Sequence, residues 1–367
     1  MKQSVKLIAF YLPQFHPIPE NDAWWGHGFT EWTNVTKGRP LFRGHYQPHL
    51  PAHLGFYDLR LPEVRRAQAE LARQHGIDAF CYYHYWFNGR RILERPFSEV
   101  LSSGEPDHPF CLCWANENWT RAWDGGAAHI LLQQNYDHED DRRHIRHLLP
   151  AFEDRRYLRV HGKPLFLVYR TELLPNPATT AEIWREEARK AGVGEIYLAR
   201  VESKESGIFP ADFGFDAAVE FAPDWRNMGA GRSDKIGWNI LRRLRLLAPE
   251  VRDNRLLEYA TLVKAMTVKK DPGYTWFRCV CPSFDNSARR RTGAAIYYDA
   301  TPEIYGEWLQ EILMQTMAKR QPEERLVFIN AWNEWGEGCH LEPDQKWGDA
   351  FLRATREAKE RVQSCQT

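Results

Sequence analysis

The sequence predicts a single (β/α)8 barrel spanning residues 1–367. Strand-like apolar runs alternate with helical patterns from end to end, the signature of a parallel sheet joined by crossover helices. Eight such alternations favour a closed barrel over an open doubly wound sheet. A chain of 367 residues suits one barrel with loop insertions, and no repeat, low-complexity tract or flexible linker divides it.

Taken in order, strands are expected near Val5–Tyr11, Ile77–Trp86, Phe110–Asn116, Pro164–Tyr169, Glu195–Val201, Ala217–Phe221, Thr275–Pro282 and Leu326–Glu334. The clearest helix is marked by Ile304, Tyr305, Trp308, Leu309, Ile312, Leu313, Thr316 and Met317, which recur at i, i+3/i+4 spacing. Trp347, Phe351, Ala354, Ala358 and Val362 mark the closing one. Two connections exceed plain βα loops: His16 to Leu61 after strand 1, and Ala222 to Gly273 between strands 6 and 7. Long ordered loops in a compact domain are usually functional, and both follow strand C-terminal ends, where barrel enzymes build their sites. The first carries Trp24, Trp25, His27, Phe29, Glu31 and Trp32.

Composition narrows the function. Lys plus Arg and Asp plus Glu each total 49, so no net field draws the chain to nucleic acid or an anionic membrane. The basic cluster Arg242, Arg243 and Arg245 reads as a solvated helix face. Met1 to Leu12 lacks the form of a signal peptide, and no apolar stretch is long enough to span a membrane. A soluble, cytoplasmic protein is expected. Cys81, Cys111, Cys113, Cys279 and Cys281 sit in apolar strand-like runs and read as buried, reduced thiols rather than metal ligands.

The chemistry concentrates at strand ends. In strand 8, Val327, Ile329 and Ala331 suit packing under helices. The alternate set, Phe328, Asn330, Trp332 and Glu334, suits the barrel's inner mouth. Glu337 would face away in an unbroken strand, but Gly336 and Gly338 permit a bend that brings it round. Two carboxylates at an aromatic-rich opening can break a glycosidic bond: one handles the leaving oxygen, the other activates or attacks. The competing explanation is a structural ion pair with an arginine.

Other strand ends supply Tyr11, His84, Trp86, Trp114, Asn116, Glu117, Trp119, Glu202 and Glu220. With Glu31, Trp32, Asn333 and Trp335 they form the predicted sugar-binding set, aromatic faces for ring stacking and polar groups for hydroxyls. His84 alone reads better as a hydrogen-bonded support than as a metal ligand. The chain lacks H-E-x-x-H, a Walker A sequence, a complete G-x-G-x-x-G, Asp-x-Asp and G-x-S-x-G. No metal or cofactor is expected.

Four segments carry a family resemblance over nearly the whole chain: Ala9-Phe-Tyr-Leu-Pro-Gln-Phe-His16, Gly28-Phe-Thr-Glu-Trp-Thr-Asn-Val35, Trp114-Ala-Asn-Glu-Asn-Trp119 and Asn333-Glu-Trp-Gly-Glu-Gly338. The chain resembles the WbsX-type, glycoside hydrolase family 99-like proteins of bacterial polysaccharide gene clusters. The resemblance implies a (β/α)8 fold and the chemistry of retaining endo-acting α-mannosidases and mannanases. By that resemblance Glu334 deprotonates the sugar's 2-hydroxyl, which displaces the leaving group through a 1,2-anhydro intermediate, and Glu337 is the general acid, then base. Gly336 stands where family 99 commonly has His, and the first loop is more elaborate here. The favoured expectation is a retaining endo-type hydrolase of a bacterial polysaccharide with manno- or rhamno-configured sugars. The alternatives are a glycosyltransferase or transglycosylase in O-antigen or capsule assembly, and a non-catalytic carbohydrate-binding barrel.

Overall fold

Eight parallel strands close on themselves in a computed structural model that describes residues 4–121, 126–290 and 292–364. They are β1 (Lys6–Tyr11), β2 (Ala79–His84), β3 (Phe110–Trp114), β4 (Lys163–Val168), β5 (Tyr197–Glu202), β6 (Ala217–Glu220), β7 (Trp276–Val280) and β8 (Leu326–Ile329). Ile8 of β1 pairs with Ala79 on one side and Phe328 on the other, and the β4–β5 pairing completes the ring. Strands covered on both faces read as continuous apolar runs, which is why the sequence marks them so clearly. Phe10, Phe277 and Phe328 meet inside the barrel, with ring centroids 5.5 and 6.3 Å apart.

Helices α1 (Pro62–Gln74), α2 (Arg95–Ser103), α3 (His138–Glu153), α4 (Pro177–Lys190), α5 (Tyr259–Thr267), α6 (Pro302–Lys319) and α7 (Ala350–Ser364) flank the barrel. Local chemistry starts several of them. Proline opens the first turn of α1, α2, α4 and α6, and the side chains of Asp137, Asn176 and Thr301 cap α3, α4 and α6. The regular alternation fails once. β5 is followed by a 3-10 turn, Pro210–Phe213, because Gly207, Pro210 and Gly214 break the connection too often for a helix.

The long connections gather at the C-terminal mouth. The β1–α1 loop folds short helices Pro19–Trp25 and Glu31–Val35. From the β6–α5 connection, Arg255–Glu258 pairs in parallel with Ala295–Tyr298 of the β7–α6 connection. β8 ends at Ile329 rather than Glu334. Beyond it Asn333–Glu334 pairs antiparallel with Cys339–His340 across a 3-10 turn, Trp335–Glu337. The described cysteines are free and buried, and no helix among the described residues is long and apolar enough to cross a membrane. Arg242, Arg243 and Arg245 are exposed, on and just after the short helix Ile236–Arg243.

Candidate active site

A cavity of about 460 Å³ opens at the C-terminal mouth, and Glu334 and Glu337 both line it. Its walls include Tyr83, Tyr85, Trp119, Tyr169, Phe221 and Trp225. One cation organises the acids. Arg289, from the β7–α6 connection, donates through Nη2 to Glu334 and through Nε to Glu31 Oε1 at 2.6 Å. Its Nη1 lies 3.0 Å from Glu337 Oε1. Glu31 is fully buried behind this guanidinium, whereas the Glu337 side chain keeps 28% of its surface exposed against 9% for Glu334. Of the three acids on Arg289, Glu337 is therefore the one that faces solvent most openly.

Burial pushes the Glu334 carboxyl up to about 8, and the nearby Glu337 and Glu31 charges add to it against the opposing pull of Arg289. Arg289 is held well above its ordinary value: the three carboxylates outweigh its own desolvation. Three carboxylates share the guanidinium of Arg289, while Lys204 and Arg290 line the same cavity without pairing with Glu334 or Glu337, and the buried Glu334 is the group raised to about 8.

The motif around the acids is mostly scaffolding. Asn333 locks the β8 loop to β1, accepting from Leu12 N at 2.7 Å and donating to Leu12 O at 3.0 Å. Trp335 donates to Glu342 at 2.7 Å, and Tyr57 and Gln68 donate to the same buried carboxyl at 2.7 and 2.6 Å. Gly338 sits at φ 54°, the left-handed region, and supplies the predicted bend. Gly336 is there for a different reason. A Cβ on it would fall 2.6 Å from Arg289 Nε and closer still to Glu31 Oε1, so the ion-paired cluster needs a bare backbone there.

Of the residues expected to bind sugar, Glu117 and Trp119 line the cavity. Glu117 pairs with Arg170 at its edge. Glu31 stands one layer behind, through Arg289. The rest do not line it, and for Tyr11, His84 and Trp114 the reason is strand phase. Tyr11 points outward and donates to Gln68 of α1 at 2.7 Å. His84 meets His144 of α3 at 3.0 Å, Trp86 donates to Asp140 of α3, and Trp114 packs on His144 and Trp184. Asn116 ties its loop to the backbone of Arg170, and Trp32 donates to Tyr57 O within an aromatic cluster. Glu202 accepts from Tyr274, Trp276 and Gly207 N, while Glu220 pairs with Lys269 and Arg278. Asn333 and Trp335 serve the scaffold already described. Trp332, expected at the mouth, packs instead against Phe80, since alternation stops where β8 ends.

Sequence reading missed Arg289 and the cavity-facing Tyr83, Tyr85 and Tyr169. Arginines at 289, 290 and 291 directly after strand 7 were the available signal, because buried glutamates demand a cation.

Fold and mouth together define a (β/α)8 protein with a carboxylate site at its strand C-terminal ends. The chain belongs to the family described as glycosyltransferase WbsX, which matches residues 7–355. Two proteins named WxcX, from two strains of Xanthomonas campestris pv. campestris, are 48% and 47% identical over 356 residues. The match covers 97% of this chain and 50% of theirs, so the chain spans about half the length of the curated relatives it matches. Among solved structures, a glycoside hydrolase-like protein matches with a TM-score of 0.63 at 13% identity, over 97% of this chain and 94% of that one. The GH99 endo-α-mannosidase of Bacteroides thetaiotaomicron matches with a TM-score of 0.57 at 14% identity, over 98% of both chains. These two likenesses are of fold.

Proposed function

We propose that the chain is a carbohydrate-active enzyme, a retaining endo-acting glycoside hydrolase for a bacterial polysaccharide with manno- or rhamno-configured sugars. One observation carries the reading: Glu334 and Glu337 face the same aromatic-walled cavity from the two Nη atoms of one buried arginine. An arginine ion pair by itself would account for buried acids. It does not account for two acids lining an open cavity, one of them with 28% of its side chain exposed.

In the proposed reaction Glu334 removes the proton of the sugar's 2-hydroxyl while O2 attacks C1. The bond from C1 to the leaving oxygen breaks as Glu337 protonates that oxygen. Water, deprotonated by Glu337, then opens the 1,2-anhydro sugar at C1, and O2 recovers its proton from Glu334. Arg289 steadies the Glu334 carboxylate, and a carboxyl titrating near 8 is a strong base for a hydroxyl proton. O2 must stand trans and near diaxial to the departing group, which α-mannosides and α-L-rhamnosides satisfy and α-glucosides do not. Trp119 and the tyrosines supply flat faces for neighbouring sugars.

NMR of the first-formed anomer, run beside a 2-deoxy analogue of the same glycan, tests this. Retention with an inert 2-deoxy sugar is expected. An inverted product or normal turnover of the 2-deoxy sugar would leave Glu334 as an inverting base or a direct nucleophile. The second reading, transfer to a sugar acceptor, is favoured by the family's description as a glycosyltransferase. It uses the same carboxylates, with an acceptor hydroxyl in place of water, and the ratio of transfer to hydrolysis products separates the two.

A further inference from the structure

Behind the candidate active site, His49 of the β1–α1 loop meets His340 and Asp344 of the β8–α7 connection. His49 Nδ1 lies 2.9 Å from His340 Nε2, and His340 Nε2 lies 3.8 Å from Asp344 Oδ2. All three ligand atoms fall within 4.8 Å of one another, and all three residues are buried. We propose that His49, His340 and Asp344 form a structural site for a divalent transition metal, zinc first among them.

The hydrogen bonds around the cluster prepare it. His340 Nδ1 is 2.9 Å from the carbonyl oxygen of Glu342. A carbonyl only accepts, so Nδ1 carries the proton and Nε2 turns its lone pair toward His49 and Asp344. This is how the outer partner of a metal-bound histidine fixes its tautomer. Asp344 Oδ1 is taken by the backbone N–H groups of Lys346 and Trp347, at 2.9 and 2.6 Å. Oδ2 faces His340 Nε2 at 3.8 Å, and the hydroxyl of Tyr46 also acts on this carboxylate.

Charge supplies the motive. Among the described residues, no lysine or arginine lies within ion-pair distance of Asp344; His340, held neutral at Nε2, is its partner at 3.8 Å. Buried carboxylates are paired or coordinate metals. Two neutral imidazoles and one carboxylate are a zinc-type ligand set. A tetrahedral ion with Zn–N bonds of about 2.0–2.1 Å spaces its nitrogens roughly 3.3 Å apart, so the 2.9 Å pair opens by a few tenths of an ångström. An adjoining cavity of about 490 Å³, lined by the three residues and Tyr46, has room for a water as fourth ligand.

The ion would clamp two long connections together immediately behind the acids. His340 stacks on Trp335 with centroids 3.7 Å apart, and a Cβ on Gly338 would meet His49 Cε1 at 3.3 Å. His84 and His144 provide an internal control. They approach to 3.0 Å, buried like the first pair, but form no such cluster with a carboxylate.

The full chain, stripped with a chelator and gel-filtered, is loaded with Zn²⁺ or Co²⁺ alone. Expected are about one bound ion per chain, the visible bands of tetrahedral cobalt bleached by added zinc, and a thermal midpoint raised by several degrees on zinc loading. His340→Gln and Asp344→Asn, checked for native circular dichroism, lose the ion and the zinc-dependent rise; His84→Gln keeps both. A wild-type chain that retains no ion, an Asp344→Asn chain that retains it, or loss of the ion in His84→Gln would overturn the site. Because the readouts are metal content and melting, they stand apart from the proposed hydrolase activity.

Discussion

Two places in the barrel offer a pair of glutamates at strand ends, and only one pair faces a cavity. At β5 and β6, Glu202 and Glu220 point to the outer face. Glu202 is surrounded by donors, from Tyr274 at 2.6 Å and Trp276 at 3.0 Å. Glu220 is neutralised by Lys269 at 2.9 Å and Arg278 at 2.8 Å. After β8, Glu334 and Glu337 turn inward onto Arg289, which also serves Glu31. The first pair is satisfied with a donor or cation for every acid. The second shares one guanidinium among three acids, and burial, reinforced by the neighbouring Glu337 and Glu31 charges, raises Glu334 against the pull of Arg289. Perturbed carboxylates lining a cavity are candidates for the working site proposed above.

The comparison breaks first if the two pairs respond alike to loss of charge. Glu337→Gln should lower turnover on a natural glycan by about 10²–10⁴-fold, the usual scale of a lost general acid. It should cost far less on a glycosyl fluoride, whose leaving group needs no proton. Glu202→Gln should keep turnover and lose about 1–3 kcal/mol of stability from an unmet buried donor. Equal turnover losses at both positions, in steady-state kinetics with urea melts alongside, would erase the distinction.

Inward and outward tryptophans sharpen it next. Trp114→Ala, on the outer face, should cost about 3–5 kcal/mol of folding stability with KM unchanged. Trp119→Ala, on the cavity wall, should raise KM several-fold at little cost in stability. Titration calorimetry with an oligosaccharide, beside denaturant unfolding, reads both.

Gly336→Ala is subtler. Its methyl group would push on Glu31 and Arg289, costing about 1–3 kcal/mol as overpacking does and lowering kcat by displacing the guanidinium. An unchanged kcat would mean that the acids do not depend on Arg289 for their placement.

The smallest effect is a matter of pH. A base must be ionised, so the ascending limb of kcat/KM should run up to about 8. Arg289→Gln removes the cation that favours the ionised form and should move this limb upward. A profile with no ascending limb reaching about 8 would take the base role away from Glu334.

Much of the architecture was legible in one dimension because it rests on local chemistry. Apolar runs bounded by turns mark strands buried on both faces, and the i, i+3/i+4 pattern of α6 fixes a helix directly. The eight expected alternations miss the loss of the helix after β5, although Gly207, Pro210 and Gly214 carry its signal. Strand phase was not legible, since Tyr82-Tyr-His-Tyr-Trp86 puts aromatic or polar residues on both faces and shows no alternation to read. A shift of one residue sends His84 to α3 and Tyr83 to the cavity.

The sequence by itself determined the barrel and singled out Glu334 and Glu337 as the acids to examine, through the glycines and aromatic residues packed around them. Tertiary structure alone decided what those acids face. Arg289 comes from a connection 45 residues upstream of Glu334, and Glu31 from one 303 residues before it. Long-range electrostatics leaves no periodic trace in a chain, because opposite charges need only meet in space.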